Sequence, residues 1–403
     1  MADTIVPLDK ALRIIDERTP ARPRQIERLN LPSAFGRILA SDAVSALDVP
    51  PFDKSAVDGY AIPDDGERGE YRLLKTMYAG EEPSYCLDAD CAALVMTGAP
   101  APPGTRRVVM VEDAARLDEI VHIERMEFGE SRNICAKGED ARAGDVVAKA
   151  GQRLDAAVIA HLTGCGITEA EVFKPLRAAI VSTGDEIADD PASLRPGRIM
   201  NTNGSMLAAL CRENGIAVAL DESVRDDERD TREAIGRGME CADIILISGG
   251  VSAGERDFVP AAMESLGLQR HFRRVAVKPG KPTTFAACEG KAIFGLPGNP
   301  VAVYLMFQLM ALRAAARMLG IPHRESRMRV PAAARIAGAS ASRAAFLPAC
   351  IDDTGAVAPL PYHGSAHIGA VAKADGFVFI PSGSRPIEAG DLADFYIFRG
   401  RGM

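Results

Sequence analysis

The chain has no run of apolar residues long enough to cross a bilayer; the longest, Val301 to Leu312, reads as a buried helix. Its start, MADTIVPLDKALRIIDERTP, has early acids and no apolar stretch, so a secretory signal is not expected. Positive charge is in deficit as well. Against 55 Asp and Glu stand 47 Lys and Arg, a net charge of −8 that argues against bulk binding to nucleic acid or a membrane surface. The 8 cysteines are scattered, with no C-x-x-C pair and no His or further Cys at zinc spacing near Cys86 and Cys91. Free thiols in a reducing cytoplasm are therefore expected. There is no G-x-x-x-x-G-K-[ST], no G-x-G-x-x-G after a strand and no H-E-x-x-H. P-loop nucleoside triphosphatases, dinucleotide-binding Rossmann units and zinc proteases of that type are left unsupported. No fixed-period repeat or low-complexity tract occurs.

What is present suits a soluble globular chain, with 47% apolar and 25% charged residues over 403 positions, enough for roughly three domains. The pattern predicts a helix from Leu8 to about Arg18, an extended stretch at Glu27–Leu31 and a second helix near Ser33–Ser41. Short runs at Tyr71–Lys75, Ala92–Met96, Arg107–Val111 and Ile120–Ile123, separated by Gly, Pro and Asp, predict a small β-rich domain. A helix at Ala156–Thr163 stops at Gly164. From residue 177 strands and helices alternate. Strands are expected at 178–182, 216–224, 243–248, 273–277 and 291–295, and helices at 205–214, 228–240, 257–266 and 300–319. This is the signature of a mostly parallel sheet with helices on both faces. After Pro322 short strands and turns return, predicting a compact β domain.

In an open α/β sheet, ligands sit beyond the carboxyl ends of the strands. The expected ends here carry Thr183-Gly184-Asp185-Glu186, Asp226-Asp227, Ser248-Gly249-Gly250, Lys278-Pro279-Gly280-Lys281 and Gly295-Leu296-Pro297-Gly298-Asn299-Pro300. Asn299 suits an N-cap and Pro300 the first helical position, so the helix that follows is expected to offer free N–H groups to an anion. The Gly249-Gly250 pair lets backbone approach a ligand closely. Arg270, Arg273, Arg274, Lys278 and Lys281 gather positive charge in an acidic protein. Glu186, Asp226 and Asp257 belong to the same rim, and carboxylates beside a phosphate site call for a divalent cation such as Mg2+.

Gly250-Val251-Ser252-Ala253-Gly254 also fits the G-x-S-x-G nucleophile elbow of hydrolases, after a strand and before a helix. Against that reading, Glu255-Arg256-Asp257 places charges where an elbow continues into small apolar residues, and no HGGG run is present to form an oxyanion hole. A cradle acting through backbone amides is the alternative.

Taken together, SGGVSAGERDF, TGDE at 183–186, KPGKP at 278–282, GLPGNP at 295–300, DKSAVDGYA at 53–61, VMTGAP at 95–100 and GED at 138–140 are similar to the MoeA/gephyrin E-domain family, over nearly the whole chain. The resemblance implies a molybdopterin molybdenumtransferase. Such an enzyme inserts molybdenum from molybdate into adenylylated molybdopterin, with Mg2+-dependent release of AMP. It implies an α/β and β multidomain chain: a split N-terminal domain (1–46 and 144–172), a β-rich insert (47–143), a doubly wound α/β domain binding the pterin nucleotide (173–322) and a C-terminal β-barrel (323–403). It further implies a cytoplasmic homodimer, with the cleft between the α/β domain of one subunit and the insert of the other. A molybdopterin adenylyltransferase would hand over the substrate.

Catalytic roles then fall to Asp58, Asp257, Arg274 and Lys278. Substrate contacts fall to Thr97, Asp140, Ser248, Gly249, Gly250, Lys281, Pro297, Asn299, Pro300 and Ser365, and metal binding to Glu186, Asp226 and Asp257. Departures from the family pattern are Lys54 and Val57 where Asn and Met are frequent, Cys135-Ala136 before Lys137, and Arg274 for a frequent lysine. The animal relatives imply a second reading, a receptor-clustering scaffold. That role would tolerate loss of the rim acids and lysines, which this sequence retains.

Overall fold

The computed structural model describes residues 5–21, 25–123, 131–251 and 258–398. The chain divides into two compact units, Met1–Gln25 with Phe173–Met403, and Ile26–Val172.

In the first unit a six-stranded sheet runs in the order Ala217–Val224, Arg177–Thr183, Ile244–Ser248, Lys291–Leu296, Thr284–Cys288, Arg270–Phe272. The first four strands pair in parallel. Their near-continuous apolar runs reflect burial on both faces. Ala178, Ile180, Ile244, Leu246, Ala292 and Phe294 face one core with the helices Thr202–Glu213 and Pro300–Met306. The alternate residues Ala179, Val181, Ile245, Ile247 and Ile293 face a second core under Glu228–Cys241 and Phe258–Ser265.

Several expectations are corrected. Residues 273–277 do not add a parallel strand. Arg270–Phe272 pairs antiparallel with Thr284–Cys288, which forms a hairpin with Lys291–Leu296, and Val277–Lys278 pairs instead with Ala344 and Ala345 of the C-terminal sheet. The hairpin turns at Glu289-Gly290, whose φ values of 39° and 78° suit a two-residue turn. The helix expected near 33–41 is only a short 3-10 turn, Leu31–Ala34. Gly36 takes φ 76°, and Ile38 and Leu39 then bridge to Arg153 and Val172. The helix over 300–319 is continuous, with a π segment at Phe307–Ala311. At 20 residues it is long and apolar enough to cross a membrane by length and composition, but 83% of its apolar window is buried inside the protein. It is a core helix.

Residues before 26 group with the later unit rather than with 26–46. Val6 exchanges backbone bonds with Arg274 (2.9 Å) and Ala276 (2.7 Å). Helix Leu8–Arg18 buries Ala11 and Ile15 in the sheet's first core, and Asp16 is held by both the Nε and Nη2 of Arg313 at 2.8 and 2.6 Å.

The C-terminal strands run Val277–Lys278, Ala344–Ile351, Gly376–Ile380, Leu392–Ile397, Arg327–Pro331, with Val357–Pro359 beside Ala344–Ile351. A bridge from Ala332 to Val357 closes this order into a ring around Val330, Ala349, Val378, Ile380 and Phe395.

The second unit holds a six-stranded mixed sheet in the order Arg107–Met110, Gly59–Ile62, Cys91–Val95, Glu70–Met77, Ile120–Ile123, Ala114–Leu117. Its alternating residues feed two cores, Ala61, Ala93 and Val108 on one face and Tyr60, Ile62, Ala92 and Val109 on the other. A further cluster of Leu31, Leu39, Leu154, Leu162 and Val172 joins the segments that flank this sheet in sequence.

Candidate active site

The register levels the parallel strand ends. Thr183 pairs with Val224, Ser182 with Ser248, and Ser248 with Leu296, so the loops that follow share one rim. That rim is assembled from separate crossovers rather than from one stretch of chain. The Lys278–Thr283 segment reaches it by entering the antiparallel strand, since Thr284 lies opposite Gly295. The basic motif is thus at the expected place by a different route.

Two features occupy the rim. The first is a carboxylate corner. Thr183 Oγ1 donates to Asp226 Oδ1 at 3.0 Å. Glu186 folds over Gly184, where a Cβ would lie 2.6 and 2.8 Å from its two carboxylate oxygens. The neighbouring Asp227 instead caps helix Glu228–Cys241, accepting from the Arg229 and Asp230 N–H groups at 2.9 and 3.0 Å. Gly249 and Gly250 close the corner, with φ 95° and 60°. A Cβ on Gly249 would sit 2.3 Å from the Thr183 carbonyl oxygen. Gly249→Ala is expected to cost about 1–3 kcal/mol from the backbone conformation alone, plus the displacement of Thr183. Chemical denaturation measures it; an unchanged midpoint would show that the loop relaxes freely.

The second feature is a cavity of about 260 Å³ whose lining includes Lys278, Lys281, Arg343, Asn299, Ser365 and Tyr362. It adjoins a chamber of about 490 Å³ through Lys278, Pro279, Arg343, Tyr362 and Gly364. Among the described residues, three cationic side chains line it and neither lining contains an acid. Burial pushes the Tyr362 hydroxyl up to about 12, so it stays protonated at neutral pH.

The helix dipole contributes less than the sequence suggests. The Val301 N–H donates to the Ser365 carbonyl at 3.1 Å, and the Ala302 and Val303 N–H groups return to the Asn299 carbonyl at 3.0 and 3.1 Å. Asn299 makes no side-chain cap. The first-turn donors of this helix are therefore spent within the protein.

The comparisons with known proteins agree along the whole chain. Residues 6–166 match the MoeA N-terminal region (domain I and II), 179–317 a probable molybdopterin binding domain, and 329–398 the MoeA C-terminal region (domain IV). A curated protein of Staphylococcus aureus named molybdopterin molybdenumtransferase is 32% identical over 413 residues, covering 97% of this chain and 95% of that protein. One of the same name from Staphylococcus epidermidis is 32% identical over 384 residues, covering 91% and 90%. The chain belongs to the MoeA family. The solved structure of a MoeA protein from Pyrococcus horikoshii OT3 superposes with TM-score 0.83 at 27% identity, covering 98% of this chain and all of that one. As a MoeA family member the chain is an enzyme, a transferase.

The expected site residues of this MoeA protein fall into separate groups. Asp226, Gly249 and Gly250 each contact Thr183 and Glu186 lies over the adjoining Gly184, while Lys278, Lys281, Pro297, Asn299 and Ser365 line the cavity. Pro300 occupies the first helical position beside it. Ser248 is buried at 1% exposure with its hydroxyl 3.5 Å from that of Ser182, so its side chain braces the strand end. Arg274 is half-buried and does not line the cavity. Asp257 and Ser252 lie outside the described residues, and with them the elbow reading. Arg343 was missed. It immediately precedes strand Ala344–Ile351, and only the pairing of that strand with Val277–Lys278 brings it to the cavity.

In the other unit, Asp58 accepts from both the backbone N–H and the Oγ1 of Thr97 at 2.6 and 2.7 Å, uniting two expected residues. Asp140 donates its backbone N–H to the Val49 carbonyl at 2.9 Å. Lys137 in the same loop is tied by its N–H to Asp53 and by its ammonium to Asp48.

The Thr97 backbone N–H, then its hydroxyl, holds the Asp58 carboxyl below the ordinary 3.8. A depressed carboxylate favours the folded protein above its unfolded value, and that contribution is lost as pH falls through the folded value. Thr97→Val removes only the smaller cause. The Asp58 midpoint, followed by carboxyl NMR, should therefore move only part of the way back to 3.8. A full return would show that the hydroxyl dominates.

Proposed function

We propose that this transferase inserts molybdenum from molybdate into adenylylated molybdopterin and releases AMP in a Mg2+-dependent step. The observation that carries the proposal is the cavity in which Lys278, Lys281 and Arg343 converge with Ser365 and Asn299 at the sheet's ligand-binding end. A tetrahedral dianion needs several positive donors arranged around it, and this lining offers them.

The carboxylate corner suits Mg2+ by its chemistry. Glu186 and Asp226 present hard oxygen donors about one backbone turn, and Mg2+ is held by few carboxylates plus substrate phosphates. Among the described residues no group of three or more His, Cys, Asp or Glu side chains could hold an ion, and Asp257, the third expected ligand, lies outside them. Bound there, the ion would neutralise charge on the departing phosphate. Lys278, Lys281 and Arg343 hold the oxyanion, and the glycine pair lets its own loop pack against Thr183, beside Asp226. Asp58 supplies an ionised carboxylate, fixed in orientation by Thr97.

The proposal includes a homodimer that receives its substrate from a molybdopterin adenylyltransferase in the cytoplasm. Eight free cysteines, none paired, support a reducing compartment. Purified protein given adenylylated molybdopterin, molybdate and Mg2+ should form AMP, and leaving out either inorganic ion should prevent it. AMP formation that ignores molybdate would overturn the assignment.

A further inference from the structure

The geometry points to Asn203 as a positioning residue for the oxyanion cavity, an inference that rests on reading that cavity as the molybdate site. Asn203 is the second residue of helix Thr202–Glu213 and only 8% exposed. Its Nδ2 donates to the Gly298 carbonyl at 2.8 Å, while its Oδ1 has no hydrogen-bond partner among the described residues. The amide orientation follows from this contact, because the opposite rotamer would set one oxygen acceptor against another.

Gly298 is flanked by Pro297 and Asn299, both of which line the cavity. The Leu296–Pro300 turn is held at its start by the Gly249 N–H on the Leu296 carbonyl at 3.2 Å. At its end the Val301 N–H reaches the Ser365 carbonyl at 3.1 Å. Asn203 supplies the attachment between these two. It fixes the carbonyl at the turn's centre and so sets where Pro297 and Asn299 stand relative to Lys278 and Lys281. A role in packing alone does not account for the residue. An apolar side chain would fill the space but leave the Gly298 carbonyl without this donor, whereas Asn203 keeps that bond at the cost of its own buried Oδ1.

The test measures molybdate binding by titration calorimetry for the full-length protein and for Asn203→Asp, Asn203→Ser and Lys278→Ala. Asn203→Asp keeps the shape and removes the donor; Asn203→Ser shortens the reach without adding charge, and carries the comparison if the charged variant does not fold. Both are expected to bind molybdate about tenfold more weakly, the scale of one lost hydrogen bond to a fixed turn. Their thermal midpoints should stay within a few degrees of the parent, and in turnover the KM for molybdate should rise more than kcat falls. Asn203 variants that are less stable but bind with the parent's affinity, while Lys278→Ala loses binding, would overturn the inference and leave the cavity reading intact. Failure of the parent protein to bind molybdate would remove the cavity reading, and the inference with it.

Discussion

Lys278→Ala is expected to weaken molybdate use by about tenfold to a hundredfold, seen as a raised KM, because a hydrogen bond to a charged group contributes about 1.5–3 kcal/mol. Lys278 lines both the small cavity and the adjoining chamber, and its side chain is exposed to them rather than packed in a core. Stability should therefore hardly change. Arg343→Ala should act in the same direction, since it shares both linings. Steady-state kinetics with varied molybdate checks both variants. If KM for molybdate stays put while KM for the pterin substrate rises, the cavity holds a different anion.

The second large effect concerns the carboxylate corner. Asp226→Asn keeps an acceptor for the Thr183 hydroxyl, which now lies 3.0 Å from Asp226 Oδ1, but removes the charge. Turnover is expected to fall by about a hundredfold to a thousandfold at fixed Mg2+, the scale of losing one electrostatic stabiliser in a reaction centre. Raising Mg2+ should restore part of it, because a weakened metal site can be filled by mass action. Glu186→Gln should behave alike. An activity loss that no Mg2+ concentration relieves would mean that the carboxylates act on the substrate directly. Near-normal activity would mean that Asp226 only orders Thr183.

Much of the rim was legible because its residues have few other uses. Glycine pairs, acids and lysines grouped after apolar strands mark places where backbone and charge meet a ligand. The sequence pattern placed Lys278 at the exit of a parallel strand of the α/β sheet, whereas it ends a two-residue strand paired in parallel with the C-terminal sheet and precedes the antiparallel hairpin strand that begins at Thr284. Both routes lead to the same end of the sheet, so the Lys278–Thr283 segment reaches the rim by either. What was not legible depended on tertiary pairing. Arg343 is an ordinary arginine until Ala344 and Ala345 pair with Val277 and Lys278. The Pro300 helix looked like an anion trap until the Ser365 carbonyl claimed the Val301 N–H. Asn203 lay outside the helix expected at 205–214, and its contact with Gly298 spans 95 residues. The false helix near 33–41 has a local cause, a glycine at φ 76°.

The most direct test of the central claim is a single-turnover assay of AMP release from adenylylated molybdopterin, with molybdate present or absent at saturating Mg2+. The account predicts that AMP appears only with molybdate, one equivalent for each molybdenum inserted. It also predicts that Lys278→Ala shifts the molybdate dependence to higher concentration. AMP released at the same rate without molybdate, or no AMP under any condition, would contradict it.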